Sequence, residues 1–209
     1  MPAGAATGTS FLFPPLRERR LSEGAAVRQL IADLFVSLDG FASGEKEAAF
    51  FGYFGEELGK WIHEHLFTPQ EMLMGRVTYE ALAQFSAAAT DEMSVRMTDL
   101  PKLVVSSTLQ EPLKWKNTRA VKGPLAEKIR ALKQQPGDPL RSIGSVRLVK
   151  SLMDLGLVDR LRLMVFPLIL GAAGREPIYT AYPRIALELV EVKALDGRLV
   201  LLEYRPAGT

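Results

Sequence analysis

Two separate stretches of the chain share one grammar: an apolar run, a glycine, then a helix with an arginine in its first turn. The first is Met72-Leu73-Met74-Gly75-Arg76-Val77-Thr78-Tyr79-Glu80, and the second is Leu140-Arg141-Ser142-Ile143-Gly144-Ser145-Val146-Arg147-Leu148-Val149. A helix start offers unpaired backbone N–H groups and the positive end of the helix dipole, so it favours anions. Glycine lets the backbone approach a ligand with no Cβ in the way. An arginine in the first turn adds positive charge to the positive end, a conflict that a phosphate relieves. Two such turns in one domain fit a ligand with two or three phosphates, such as a dinucleotide. The plain alternative is two ordinary strand–helix turns with solvated arginines.

The rest of the body alternates in the same way. Leu30–Ser37 is nearly continuous in apolar character and reads as a strand buried on both faces. Apolar residues at three- and four-residue spacing predict a helix over Glu45–Phe67, weakened by Gly52, Gly55 and Gly59. A strand at Glu71–Met74 feeds a helix at Arg76–Phe85, and Lys102–Ser106 is another buried strand. Pro124 opens a helix with Leu125, Ile129 and Leu132 on one face. Arg141–Ile143 is a strand, followed by a helix that turns Leu148, Val149, Leu152 and Leu155 inward. The chain then becomes β: Arg160–Leu170, Leu187–Leu195 and Arg198–Tyr204, the last two joined by the hairpin signal Asp196-Gly197. The expected fold class is therefore α/β, a three-layer α/β/α sandwich around a mixed, mostly parallel sheet with an antiparallel C-terminal hairpin.

Composition sets outer bounds. A chain of 209 residues with 47% hydrophobic content is expected to form one soluble domain. Residues 1–26, rich in Ala, Gly and Pro and closed by Arg17-Glu18-Arg19-Arg20, read as an N-terminal extension to a domain over 27–209. Phe11, Leu12 and Phe13 could dock on the body or on a neighbouring subunit. A net charge of +2 gives no reason to expect nucleic-acid or membrane partners. The chain has no cysteine, hence no thiol nucleophile and no Cys-based metal site. A reducing cytoplasm is the default compartment. His63-Glu64-His65 does not suggest metal, because helical residues two apart do not face one site. Tyr53, Phe54 and Trp61 are candidates for lining a substrate pocket or for filling the core.

Five motifs, in order, carry a resemblance. They are Ser37-Leu38-Asp39-Gly40-Phe41, Met74-Gly75-Arg76-Val77-Thr78-Tyr79-Glu80, Val105-Ser106-Ser107-Thr108-Leu109, Ile143-Gly144-Ser145, and Leu157-Val158-Asp159-Arg160-Leu161 with its continuation to Gly171. Over roughly Gln29 to Tyr204 the chain resembles the dihydrofolate-reductase-like superfamily. The branch it resembles is that of the C-terminal reductase domain of the bifunctional riboflavin-biosynthesis deaminase/reductase.

The resemblance implies an NADPH-dependent oxidoreductase acting on a small-molecule substrate, with the cofactor lying across the carboxyl edge of the sheet, and it suggests a homodimer. It implies that Gly75, Arg76 and Thr78 hold phosphate and that Ser106, Ser107 and Thr108 surround the adenosine ribose and its 2′-phosphate. Gly144, Ser145, Val146 and Leu148 would line the pyrophosphate and nicotinamide side, and Leu38–Ala42 would touch the nicotinamide and the substrate. Relatives often carry arginine at Ser107 and glycine at Val146. Lys102 or Arg76 is a candidate to replace the missing arginine. These two departures point to the competing reading, a non-catalytic nucleotide-binding or dimerising protein that retains the fold.

Hydride transfer asks little of a protein beyond positioning, exclusion of water and a proton source. Asp39, at the end of the first strand, is the candidate catalytic carboxylate. Its competing role is that of a turn aspartate before Gly40. The expected chemistry is reduction of a C=N or C=O in a small heterocycle of the pterin, folate or riboflavin-precursor class.

Overall fold

Alternation along the first strand decides how the layers are arranged. In β1 (Leu30–Ser37), Leu30, Ala32, Leu34 and Val36 enter one core and Phe35 enters another, on opposite faces of the sheet. Burial on both faces is why the run is apolar nearly throughout. The computed structural model describes residues 27–87, 90–180, 182 and 184–207; the extension expected at 1–26 lies outside the described residues.

After β1 come β2 (Phe41–Gly44), α1 (Glu56–Phe67), β3 (Glu71–Gly75), α2 (Arg76–Ala87), α3 (Glu92–Asp99), β4 (Lys102–Val105) and β5 (Thr118–Val121). Next are α4 (Leu125–Gln134), β6 (Leu140–Ile143), α5 (Val146–Asp154) and β7 (Arg160–Phe166). The chain ends with β8 (Gly174–Pro177), β9 (Leu187–Leu195) and β10 (Leu199–Pro206). Eight strands form one sheet in the order β5-β4-β3-β6-β1-β7-β10-β9, while β2 and β8 pair separately. The strands from β5 to β7 run parallel; β10 is antiparallel to both β7 and β9.

Each face of the sheet is covered by its own helices. Ile129 of α4 and Leu148, Val149 and Leu152 of α5 pack with the even-numbered side of β1. Leu58 and Trp61 of α1 join the core around Phe166, and Tyr79 of α2 packs with Met72, Met74 and Val104. The result is the expected three-layer sandwich around a mixed sheet.

On the α1 side the sheet carries a buried charge cluster that spans three neighbouring strands. Asp33 of β1 accepts from the Arg162 Nε–H of β7 at 2.7 Å and also from Arg141 of β6. All three residues are buried, and the Trp61 ring lies over both guanidinium groups, at 5.7 Å from Arg141 and 5.6 Å from Arg162. The pairing compensates the cost of removing these charges from water and fixes where α1 can sit.

Several expectations need correction. The strand expected over Arg160–Leu170 stops at Phe166, because Pro167 has no N–H for the ladder. The helix expected over Glu45–Phe67 begins only at Glu56; before it lie β2 and a tight turn at Ala49–Gly52. Within that turn Phe50 and Phe51 take left-handed backbone angles, with φ of 54° and 50°. Such angles cost a residue bearing a Cβ about 1–2 kcal/mol each. Their rings offset this by packing: Phe51 lies 5.2 Å from Phe166, and Phe50 lies 5.5 Å from Phe35. The short strands β2, β5 and β8 and the helix α3 were not anticipated. For α3 a signal was present, since the Asp91 carboxylate accepts from the Ser94 N–H at 3.0 Å as a helix cap.

Candidate active site

The sheet order brings the expected residues to one edge. Because β4, β3, β6 and β1 are adjacent and parallel, their carboxyl ends align. Ser106–Thr108, Gly75–Thr78, Gly144–Val146 and Leu38–Ala42 follow one another along that edge in this order. Three strand spacings separate the first group from the last, about 14 Å. Between β3 and β6 the chain leaves in opposite directions. Helix α2 departs to one face and α5 to the other, which opens a crevice at this switch in connectivity.

The two glycine turns meet inside that crevice. The Gly75 N–H donates to Ser145 Oγ at 2.8 Å, and Ser145 Oγ and Thr78 Oγ1 share a hydrogen bond of 2.5 Å. Gly144 and Ser145 both take left-handed backbone angles, φ of 67° and 59°. That conformation turns the Ser145 hydroxyl towards the neighbouring turn, so it does not cap its own helix, α5. The first N–H groups of α5 are therefore free of a side-chain cap. A Cβ on Gly75 would stand 3.2 Å from Ser145 Oγ, so any larger residue there would displace that hydroxyl by a few tenths of an ångström.

The two arginines of the repeated grammar differ. Arg76 forms a two-pronged pair with Glu80 one turn along α2, at 3.0 and 2.9 Å, and is exposed. This pairing satisfies the guanidinium within the protein and removes the electrostatic conflict inferred from sequence. Arg147 is exposed and makes no side-chain bond or ion pair with the described residues. In sequence the two arginines look alike; only the fold separates Arg147, without a side-chain partner among the described residues, from Arg76, held by Glu80.

Leu148 is buried in the core and packs beneath the turn, whereas Val146 is half-buried at its rim. At the adenosine end, Ser106 Oγ accepts the N–H groups of Thr108 and Leu109, each at 3.2 Å. Ser107 and Thr108 stand exposed. Lys102 cannot replace an arginine here. It sits at the opposite end of β4, fully buried, with Nζ donating to the carbonyls of Met97, Thr98 and Leu100 at 2.9, 2.8 and 2.7 Å. The Ser106 N–H donates to the Val121 carbonyl, which puts the exposed Lys122 beside this turn.

Asp39 is engaged on both oxygens. Oδ1 accepts from the Ser37 hydroxyl at 2.6 Å and from the Leu170 N–H at 3.1 Å, and Oδ2 accepts from the Gly171 N–H at 2.8 Å. The Ser37 bond, aided by the two backbone N–H groups, holds this carboxyl below its usual value. Asp39 thus ties the β1–β2 turn to the loop after β7. Ser37 was not anticipated as a site residue. Its hydroxyl also accepts the Phe41 N–H at 3.0 Å, a local pattern typical of a serine at a turn. Gly40, with φ of 83°, lies under the Tyr179 ring, where a Cβ would be only 2.4 Å from the ring carbons.

Elsewhere, His63 stacks on Phe67 and pairs with Glu92, and His65 stacks on Trp61. Trp61 is core, Tyr53 is half-buried beneath Arg198, and Phe54 is exposed. A groove of about 630 Å³ between β5 and α4 and another of about 880 Å³ beside Trp115 share none of the expected site residues.

Comparisons with known proteins agree with this architecture. The Bacillus subtilis protein YyaP, itself uncharacterised, is 26% identical over 186 residues, covering 87% of this chain and 96% of that protein. A putative riboflavin biosynthesis protein from Shewanella sp. PV-4 superposes with a TM-score of 0.66 at 19% identity, covering 85% of this chain and 98% of the other. Dihydrofolate reductase from Enterococcus faecalis, solved with NADP(H), superposes with a TM-score of 0.56 at 14% identity, covering 86% and 96%. The bifunctional deaminase/reductase of Thermotoga maritima matches at a TM-score of 0.62 and 16% identity, over 87% of this chain but only 57% of that one. Residues 28–201 match the family of the RibD C-terminal domain, and with most of its length inside that match the chain belongs to this family.

Proposed function

We propose that the protein is an NAD(P)H-dependent reductase that delivers hydride to a C=N or C=O of a small heterocycle of the pterin, folate or riboflavin-precursor class. The observation that carries this reading is the meeting of the two glycine turns at the switch crevice. Among the described residues, the start of α5 has no side-chain cap there and Arg147 has no side-chain partner. This donor set suits a pyrophosphate. Backbone N–H groups at the start of α5 and the Thr78 and Ser145 hydroxyls would hold it, with Arg147 as the mobile cation. Arg76 would have to leave Glu80 to take part. Ser107 and Thr108 would face the adenosine ribose, and Lys122 would meet a 2′-phosphate in place of the absent arginine. Gly144 and Val146 would bound the path towards Leu38–Ala42. Leu148 would act from beneath, by packing.

The bound nicotinamide would supply the hydride. Asp39 would keep the β1–β2 turn rigid against it; its carboxyl, lowered by the Ser37 hydroxyl, is a poor proton donor near neutral pH. The relevant support from comparison is the NADP(H) bound by the Enterococcus dihydrofolate reductase. The test is a titration with NADPH and, in parallel, NADH, followed by nicotinamide fluorescence. Selective NADPH binding that weakens in Lys122→Ala and Arg147→Ala is the expected result. Absence of binding to either nucleotide would refute the reductase reading and favour a non-catalytic member of the fold.

We also propose a homodimer built on the outer end of the sheet. Leu189, Val192 and Val200 share one face of β9 and β10 and are 47, 60 and 37% exposed. A second copy would cover them.

A further inference from the structure

Helix α4 carries the chain from β5, the end strand of the sheet, inwards to β6, past β4 and β3. It therefore leans away from the edge. Ile129 is buried in the core, and a groove of about 630 Å³ is left between α4 and β5. Leu103 of β4 and Val121 of β5 form its floor and Leu132 of α4 its inner wall, all continuous with the core. Around this apolar surface stand Arg119, Lys122 and Lys128. The Glu111 carboxylate also lines the groove, and it accepts the Ala120 N–H at 2.8 Å. Arg119 donates to Glu71 at 2.9 Å, but Glu71 already has Arg28, also at 2.9 Å. Lys122 and Lys128 make no hydrogen bond or ion pair with the described residues. Lys128 is half-buried, and a Cβ on Gly123 would stand 3.3 Å from its Cε, so its stem folds back over the residue next to Lys122. Pro124 provides no side-chain cap, so the positive end of the α4 dipole adds to the same field. Like charges gathered at one mouth repel, and an anion relieves that repulsion.

We propose that this groove is a second ligand site, which takes a small amphipathic anion. Its carboxylate, sulfonate or phosphate meets Lys122 and Lys128, and its apolar body lies on Val121 and Leu132. An apolar cleft of this size with a few convergent polar groups suits a small molecule. The groove is separate from the dinucleotide crevice between β3 and β6, yet Lys122 stands between the two. The bond from the Ser106 N–H to the Val121 carbonyl sets it beside the turn proposed for the 2′-phosphate. An anion in the groove withdraws Lys122 from that phosphate, so its binding opposes NADP(H) and spares NAD(H). The site stands without the reductase reading; this coupling rests on it.

Anilinonaphthalene sulfonate and phenylnaphthylamine are matched probes, the same apolar body with and without the anion, and both fluoresce on leaving water. Their binding is to be measured on the full chain for wild type, Lys128→Gln, Lys128→Arg and Lys122→Gln, alone and with NADP⁺ or NAD⁺. The expected result is at least tenfold tighter binding of the sulfonate by wild type and by Lys128→Arg, with the gap closing in Lys128→Gln. NADP⁺ should weaken sulfonate binding several-fold and NAD⁺ should not, a difference that Lys122→Gln removes. Equal affinity for the two probes, or indifference to Lys128→Gln, would overturn the site, because the probe would then rest on another apolar surface such as the β9–β10 face. Displacement by NAD⁺ as well as NADP⁺ would also overturn it, because the probe would then occupy the dinucleotide crevice. Sulfonate binding that depends on Lys128 but ignores bound NADP⁺ would keep the site and remove the coupling. The same binding in a protein that takes neither nucleotide would keep the site and remove the reductase reading.

Discussion

Lys102 shows how far a single residue can depart from what its type suggests. A lysine at the start of a strand reads as a solvated end, yet this one is fully buried, capping the last carbonyls of α3 with Nζ 4.6 Å from the Trp115 ring. Burial pushes its pKa down to about 8. An unfolded lysine titrates near 10.4, so between these values the unfolded chain binds more protons and stability rises with pH. Lys102→Met should flatten that rise, read as Tm against pH from 8 to 10.5; an unchanged slope would exclude Lys102 as its source. Asp39 gives a slope of the same sign at lower pH. Its folded value lies below that of an unfolded aspartate, so its contribution is present above pH 4 and is lost as pH falls through the folded value. Asp39→Asn should lower Tm at pH 7 while NADPH affinity stays within about twofold. Unaltered Tm with lost turnover would return Asp39 to the role of catalytic group.

At the level of elements, the C-terminal hairpin does two jobs. Asp196 and Gly197 both have positive φ, 52° and 65°, as the tight turn between twisted antiparallel strands requires. The Asp196 carboxylate also accepts the Glu57 and Leu58 N–H groups at 2.9 and 3.1 Å, so it caps α1 from far along the chain. A Cβ on Gly55 would run into that carboxylate at 2.3 Å, which explains the glycine just before α1. Asp196→Ala should cost about 1 kcal/mol in urea unfolding, within the usual range for a lost cap. A change of only a tenth or two would mean that solvent replaces the cap. The hairpin was legible because Asp-Gly between apolar runs is a local signal. The cap was not, since its partners lie 139 residues apart.

The whole molecule is asymmetric across its sheet. Helices cover the strands from β4 to β7, but the β9–β10 face keeps Leu189, Val192 and Val200 exposed. Two such faces brought together by a twofold axis would bury them. A monomer of 23.0 kDa should therefore run at about twice that mass in light scattering, and Val192→Glu should return it to monomer. A wild-type protein measured at the monomer mass would end the dimer proposal. The same asymmetry leaves the opposite edge protected: the Ala120 N–H of β5 donates to the Glu111 carboxylate at 2.8 Å, which blocks that strand from further pairing.

The sequence by itself determined the parts that depend on local periodicity and turn chemistry. These are the buried first strand, the two strand–glycine–helix units, the Asp-Gly hairpin and hence the α/β class. It also singled out Gly75 and Gly144, because the absence of a side chain is visible wherever it occurs. Tertiary structure decided what those units do to one another. Only the insertion of β6 between β3 and β1 puts the Ser145 hydroxyl against the Gly75 N–H, and only α2's own Glu80 takes Arg76 out of the crevice. The strands β2, β5 and β8, unlike the equally short β4, carry no continuous apolar pattern and exist because a neighbouring strand completes their hydrogen bonds. The left-handed Phe50 and Phe51 run against local preference altogether. Packing on Phe35 and Phe166 outweighs that preference, and those contacts exist only once the chain has folded.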